Sequence, residues 1–299
     1  MLERSHIYDD ALVARLGGST IAGVPTNFPQ RGVHTSQRRG ASLEFSEHTE
    51  YVPGDDLRNL DWKVYGKSDR YFVRRFEDER LQRALILVDA SGSMSYGGSP
   101  DSLEGSKYHL AARVAVALSS ALLRQGDAVG LAIFGEGEAL LTPRGGAAQL
   151  EAIIELLLGA RPGGNARFSE RLPSLRERIG APATLYVLSD FLDEEVEGLR
   201  ELSLLRARRL YPKLIQLLHH DEINLPFEGT TRFRDLESSA ELAVDPEAIR
   251  RAYFEEIKEF VEGVAATAYS SGLPYAFIRD SVEAGEELPL LLLSREGRY

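Results

Sequence analysis

The sequence predicts an α/β fold built on a doubly wound, mainly parallel sheet. Three apolar runs, ALILVD (84–89), AVGLAIF (128–134) and TLYVLSD (184–190), have the length and composition of strands that are buried on both faces. Stretches with a helical spacing of apolar residues separate these runs. Strands that alternate with helices form parallel βαβ units, because each helix crosses over the sheet to the next strand.

Residues 83–299 are therefore predicted to form the main domain. After the first strand, apolar spacing predicts a helix over 107–125, with Gly126 placed to end it. The glycine pair in FGEGEALLTP predicts a hairpin between the second strand and EALLTP (138–143). Further helices are expected over 147–158, 168–179, 194–210 and 248–269, and further strands in KLIQLLH (213–219) and PYAFIR (274–279).

Two additions to this domain are predicted. Residues 1–82 are rich in loops and strands, with a short helix over 10–16 and alternating stretches in ASLEFSEHTEYV (41–52) and YFVRRFED (71–78). We expect this β-rich N-terminal extension to pack on the main domain. The connection over 221–246 is too long for a plain loop, and its runs TRFRDLES and AELAVD predict a small inserted hairpin.

Composition and charge exclude several classes of function. The formal net charge of −11 opposes general binding to nucleic acid or to anionic lipid, since both need a basic surface. The absence of cysteine excludes disulfides, thiolate metal sites and cysteine nucleophiles. The N-terminal MLERSHIYDD lacks the apolar core of a signal peptide, and no apolar window reaches the ~18 residues of a membrane span. We therefore expect a cytoplasmic protein without membrane insertion.

Polar side chains follow two of the predicted buried strands. LILVDASGSMS places Asp89, Ser91 and Ser93 just past the first strand, and LYVLSDFLDEE places Asp190 past another. Ligands of open α/β sheets bind beyond the carboxyl ends of the strands, so these oxygens are expected to converge. Oxygen ligands suit Mg²⁺ or Mn²⁺ better than zinc or copper. The alternative is that Asp89 and the serines cap the next helix.

These motifs resemble a known family. DASGSMS in an α/β chain resembles the von Willebrand factor A fold, whose D-x-S-x-S motif forms a metal-ion-dependent adhesion site. The longer stretch from Arg39 to Met94 is similar to the bacterial domain of unknown function 58 family, DUF58, and the resemblance covers residues 40–277. The residues that match the DUF58 signature are Glu44, Phe45, Tyr51, Pro53, Gly54, Asp55, Arg58, Asp61 and Trp62.

The resemblance implies a metal site. It assigns Asp89, Ser91 and Ser93 to the first metal loop and Asp190 to the distal position. The family motif also includes a threonine, but the matching stretch RPGGNARFSERL has Asn165 or Ala166 where that threonine is expected. Asn165 would substitute through its amide oxygen. We therefore expect a degenerate site that binds Mg²⁺ or Mn²⁺ weakly.

The remaining candidates have structural interpretations that we favour. Trp62 is expected to fill the seam between the N-terminal block and the main domain. The signature charges around it form either an ion-pair network that fixes this block or a solvated turn, which would contribute little. His219 and His220 follow a predicted strand, where adjacent side chains point to opposite faces and do not share a metal. One packed and one exposed histidine are expected.

The sequence favours a function without catalysis. It contains no nucleophile elbow and no phosphate-binding P-loop. The leading hypothesis is an interaction module, an adaptor or co-chaperone, that binds a partner's carboxylate through the cation. The resemblance implies a MoxR-type AAA+ ATPase and its client as partners. Two alternatives remain open: a magnesium-dependent phosphoester hydrolase that uses Asp89 and Asp190, and a metal-free structural scaffold.

Overall fold

The computed structural model divides the chain into two compact units. One combines Met1–Thr26 with Gln82–Tyr299, and the other is Asn27–Leu81. The residues that the structure describes are 2–18, 43–51, 61–68, 70–78, 82–99, 101–164, 181–192, 196–236 and 240–293. The smaller unit ends one residue before the predicted boundary at residue 82, and the first 26 residues belong with the α/β unit.

The larger unit contains a six-stranded sheet in the order β10-β7-β6-β3-β4-β5. Its strands are parallel except β5, which pairs with β4 in the antiparallel direction. The strands of the described residues are β1 (Leu43–Glu50), β2 (Phe72–Asp78), β3 (Arg83–Ala90), β4 (Ala128–Gly135), β5 (Glu138–Arg144), β6 (Ala183–Ser189), β7 (Leu210–Leu217), β8 (Thr231–Arg234), β9 (Glu241–Val244) and β10 (Tyr275–Ile278). The predicted fold class is confirmed.

Helices cover both faces of this sheet. Alternate residues of β3 point to opposite sides, so Ile86 and Val88 join one core cluster and Leu85 and Leu87 the other. The α-helices of the described residues are α1 (Arg4–Ile7), α2 (Asp10–Gly17), α3 (Trp62–Ser68), α4 (Lys107–Arg124), α5 (Ala147–Gly159), α6 (Val196–Leu204), α7 (His220–Asn224), α8 (Pro246–Ser270) and α9 (Ser281–Leu293). None of them is both long and apolar enough to cross a membrane.

The N-terminal helices α1 and α2 belong to the core of the larger unit. Leu12 and Leu16 are buried in the same cluster as the inner face of α4. Asp9 caps α2 by accepting the N–H of Leu12, and it forms an ion pair with Arg113 of α4. Sequence patterning assigned these residues to the extension because a polar, glycine-rich stretch follows them.

Several element predictions need correction. The helix predicted over 194–210 is the shorter α6 followed by a 3₁₀ turn at Leu205–Arg208. Helices α1, α3, α7 and α9 were not predicted. The inserted hairpin is confirmed as β8 paired with β9 in the antiparallel direction. The helix predicted over 168–179 lies outside the described residues.

The smaller unit contains the antiparallel pair β1–β2, with a bulge between Phe45 and Glu47, and α3. Asp61 precedes α3 and accepts the N–H of Val64 at 3.3 Å. Trp62 begins the helix and is 66 % exposed, with its ring edge-on to Tyr65. Asp61 is the buried residue at this end of α3, and the expectation that Trp62 fills a seam with the main domain stays a prediction.

The structure describes only some of the other residues of the DUF58 signature. Glu44 and Phe45 lie on β1, and the backbone N–H of Tyr51 donates to the carbonyl of Tyr71 at 2.8 Å. Gly54, Asp55 and Arg58 lie outside the described residues. The ion-pair network predicted for this signature stays a prediction.

Candidate functional site at the carboxyl edge of the sheet

The candidate site lies where the strand order of the sheet changes direction. Strands β3 and β6 are parallel neighbours, with Val88 opposite Leu188. From β3 the chain next adds β4 on one side and later adds β6 on the other, so the crevice between their carboxyl ends is the topological switch point. Asp89, near the end of β3, and Asp190, just after β6, both lie at this edge.

Asp89 is a buried carboxylate with neutral hydrogen-bond donors. It is 3 % exposed. Its Oδ1 accepts the backbone N–H of Ser91 at 2.7 Å, and its Oδ2 accepts the hydroxyl of Ser189. Burial, together with the nearby charge of Asp190, raises the pKa of Asp89 to about 7. Among the residues that the structure describes, the hydrogen-bond donors of Asp89 carry no positive charge.

A chain of hydroxyls connects the two strand ends. Ser91 Oγ lies 3.1 Å from Ser93 Oγ, and the Ser93 hydroxyl donates to Asp190 Oδ2 at 2.7 Å. The 3₁₀ turn Gly92–Ser95 holds this loop, with Ser95 Oγ donating to the carbonyl of Gly92. The structure thus brings Asp89, Ser91, Ser93 and Asp190 together.

The predicted fifth ligand, Asn165, lies outside the described residues. The residues before it are fixed to the first loop. The N–H of Gly163 donates to the carbonyl of Ala90 at 2.8 Å, and the N–H of Gly92 donates to the carbonyl of Gly164 at 3.0 Å. The role of Asn165 as a substitute for threonine stays a prediction.

Sequence reasoning missed Lys107, whose side chain is 1 % exposed. Its Nζ donates to Asp190 Oδ2 at 2.7 Å and to Glu222 Oε1 at 2.6 Å. Burial alone would lower the pKa of Lys107, but the two carboxylates outweigh it and the pKa is raised. Lys107 is therefore a permanent internal cation. The sequence signal for it is weak: Lys107 is the first residue of α4, immediately after the capping residue Ser106.

The backbone after β6 also holds Asp190. Its Oδ1 accepts the N–H of Leu192 at 3.1 Å. The Gln216 side-chain amide donates to the Asp190 carbonyl at 3.1 Å. Phe191 has a φ of 59°, the left-handed region that non-glycine residues seldom adopt. This sharp turn directs the chain away from the sheet edge directly after the carboxylate.

Glu222 connects the site to the insertion. It lies in the short helix α7, and its Oε2 accepts the backbone N–H of His219 at 2.8 Å. His219 caps α7 and packs its half-buried ring edge-on to Tyr96 at 5.3 Å, whereas His220 is exposed. The expectation of one packed and one exposed histidine matches this arrangement. The two residues lie in a cap and a helix, however, and not on a strand.

The donor set of this site is oxygen-rich. Among the residues that the structure describes, no group of three or more histidines, cysteines or carboxylates is placed to hold a metal ion. A cation here would depend on the hydroxyls of Ser91 and Ser93 together with Asp89 and Asp190. Hydroxyl and carboxylate oxygens fit a hard divalent ion such as Mg²⁺ or Mn²⁺.

The fold and the motif define a von Willebrand A-like α/β protein, with a D-x-S-x-S loop at the switch point of a doubly wound sheet. The family model described as "Protein of unknown function DUF58" matches residues 47–261. The match covers more than half of the chain, and the chain belongs to this family.

Its relatives include proteins without an assigned function. The chain is 26 % identical over 255 residues to uncharacterized protein Rv1480 of Mycobacterium tuberculosis, covering 83 % of this chain and 78 % of the relative. It resembles BatB from Bacteroides thetaiotaomicron with a TM-score of 0.44 and 16 % identity, over 71 % of this chain and 97 % of that one. It also resembles a von Willebrand factor type A protein from Catenulispora acidiphila, with a TM-score of 0.41 and 14 % identity over 73 % and 43 % of the two chains.

Proposed function

We propose that the chain is a non-enzymatic protein-interaction module that binds a partner's carboxylate through Mg²⁺ or Mn²⁺. The observation that carries the proposal is the convergence of Asp89, Ser91, Ser93 and Asp190 at the switch point, where the serine hydroxyls link the two strand ends. Asp89, Ser91 and Ser93 would hold the ion, and Asp190 would support them through its hydrogen bond with Ser93. The ion would supply an open coordination position to the partner.

The charge balance of the site supports a cation. Among the residues of the site that the structure describes, the three carboxylates of Asp89, Asp190 and Glu222 accompany one ammonium, that of Lys107. With Asp89 ionised, two negative charges remain without compensation in a mostly buried cluster, and burying an unpaired charge is costly. A divalent ion beside Asp89 would compensate them.

The neutral serine ligands of the proposed ion support binding of a partner rather than catalysis. Serine hydroxyls are neutral, so an ion that they hold keeps most of its charge. A partner's Asp or Glu would complete its coordination. On the family resemblance, we propose that the partner is a MoxR-type AAA+ ATPase, that the chain works as an adaptor or co-chaperone between this ATPase and its client, and that it does so in the cytoplasm.

One observation favours a second candidate, the metal-free scaffold. Asp190 already accepts hydrogen bonds from Lys107, Ser93 and Leu192, so this carboxylate is satisfied without a metal. In that case the module would bind its partner through another surface. The phosphoester hydrolase has no comparable support and stays a hypothesis from the sequence.

Calorimetric titration of the full chain with Mg²⁺ and Mn²⁺ tests the proposal, together with pull-down of the ATPase. We expect the wild type to bind the ion, and Asp89→Ala and Ser91→Ala each to weaken binding by about tenfold or more and to reduce capture of the ATPase. Glu256→Gln, at an exposed carboxylate of α8, is the control and should change neither. Absence of binding, with no thermal shift on EDTA treatment, would exclude the cation mechanism. Capture of the ATPase under those conditions would indicate the scaffold.

A further inference from the structure

Both acceptor positions of Asp190 Oδ2 and one of the two on Oδ1 are occupied by groups of the protein itself. Its Oδ2 accepts the Ser93 hydroxyl at 2.7 Å and the Lys107 ammonium at 2.7 Å. Its Oδ1 accepts the N–H of Leu192 at 3.1 Å. A carboxylate oxygen has two lone pairs, so both lone pairs of Oδ2 are used. Asp190 is also 1 % exposed, which leaves it no room to reorient through solvent.

Lys107 is held in place from its other side. Its ammonium donates to Glu222 Oε1 at 2.6 Å. The other oxygen of Glu222 accepts the N–H of His219 at 2.8 Å, and the Tyr253 hydroxyl donates to the Glu222 carbonyl. Glu222 is thereby fixed by its own helix and by α8. The Lys107 ammonium is therefore held between two carboxylates, and leaving Asp190 would break a short ion pair in a buried environment.

We infer that Lys107 keeps Asp190 from bonding the cation directly, so that Asp89 is the one carboxylate of these two that contacts the ion. This inference rests on the proposed cation site. Lys107 is then a positioning residue that sets the properties of the ion: it lowers the affinity for the free cation and leaves more of the ion's charge for a carboxylate from the partner. The physical reasons are competition for Asp190 Oδ2 and repulsion between the ammonium and a divalent ion. Cation affinity in oxygen-ligand sites depends on the number of charged ligands.

Titration with Mn²⁺, followed by the electron paramagnetic resonance of the free ion, tests the inference on the full chain. The variants are Lys107→Gln and Lys107→Met, with Lys258→Gln at an exposed lysine of α8 as the control. We expect both Lys107 variants to bind Mn²⁺ about tenfold tighter or more, because Asp190 becomes a direct ligand. The control should bind like the wild type.

A second measurement separates this role from a general effect of charge. The number of water molecules on bound Mn²⁺, measured by electron–nuclear double resonance, should fall by one in the Lys107 variants because the Asp190 carboxylate replaces a water. Circular dichroism checks folding. Lys107→Met leaves Asp190 and Glu222 without their shared cation. Lys107→Gln, whose neutral amide can donate to Glu222 and leave Asp190 Oδ2 to the ion, therefore keeps the test usable if Lys107→Met unfolds.

The outcomes distinguish this inference from the proposed function. If the wild type binds Mn²⁺ but the folded Lys107 variants bind it equally or more weakly, or keep the same number of waters, the inference is wrong and the cation site stands. If neither the wild type nor any variant binds Mn²⁺, the proposed function fails and the inference fails with it.

Discussion

The two aspartates at the carboxyl edge of the sheet have opposite surroundings although their strands are neighbours. Asp190 accepts hydrogen bonds from an ammonium, a hydroxyl and a backbone N–H. Asp89 accepts hydrogen bonds from a backbone N–H and a hydroxyl, both of them neutral. Both carboxylates are almost fully buried. Their difference lies in charge compensation, which Lys107 provides at Asp190 and which none of the described contacts of Asp89 provides.

This difference shows which of the two aspartates has its charge compensated within the protein. A buried charge is tolerated when it is paired, and otherwise the group tends to become neutral. The ion pair between Asp190 and Lys107 connects α4 to the end of β6 and needs no added cation. Asp89, whose pKa is raised to about 7, is the position where an added cation would change the energy most. The contrast gives three predictions for metal-free protein, and each treats the two aspartates as a matched pair.

The largest expected effect is that Asp89→Asn and Asp190→Asn change the free energy of unfolding in opposite directions at pH 8 in the absence of metal. Asp89→Asn removes an uncompensated buried charge and should raise the free energy of unfolding by up to about 4 kcal/mol, since a tenfold change in protonation equilibrium is worth about 1.4 kcal/mol. Asp190→Asn removes a partner of Lys107 and should lower it by about 2 kcal/mol. Urea denaturation measures both. Effects of the same sign would show that the two carboxylates are equivalent.

The second expected effect is a pH dependence of the free energy of unfolding that arises from Asp89. The pKa of Asp89 is higher in the folded state than its ordinary value of 3.8, so the folded state binds the proton more tightly. The resulting stabilisation is fully present below pH 3.8 and is lost as the pH rises to about 7. Urea denaturation of metal-free protein at several pH values should show less of this loss in Asp89→Asn than in the wild type. Equal slopes would assign the pH dependence to other groups.

The smallest effect concerns the serines that donate to each carboxylate. Ser189→Ala removes the hydroxyl donor of Asp89 and also the acceptor of the Phe191 N–H, which lies 2.9 Å away. Its expected cost is about 2 kcal/mol. Ser93→Ala removes one of three donors to Asp190 and should cost about 1 kcal/mol or less. Thermal unfolding of the two variants at pH 8 measures the difference, and a larger loss for Ser93→Ala would contradict it.

The strands that position the site were predictable from sequence because burial on both faces leaves a continuous apolar run. β3, β4 and β6 each have such a run, with almost every residue buried. The position of Asp89 and Asp190 after two of these runs was enough to predict that they meet. Their convergence depends on the order of strands, which the alternation of strands and helices indicates.

The partner of Asp190 was not predictable in this way. Lys107 is 83 positions away from Asp190 and 115 from Glu222, and a lysine at a helix start is normally exposed. The missed helix α9 has a different cause, since Gly285 and Pro289 both lower helix propensity. Packing overrides propensity there, because Ala284, Leu288 and Leu292 of this helix are buried in the main core cluster.

The position of α1 and α2 in the core has a consequence for dissecting this protein. Leu12 and Leu16, together with Leu2, Ile7 and Val13, belong to a hydrophobic cluster whose other buried members begin at Ala84. The folding unit is therefore discontinuous along the chain. A fragment that starts at β3 would leave part of this cluster open to water and prone to aggregate.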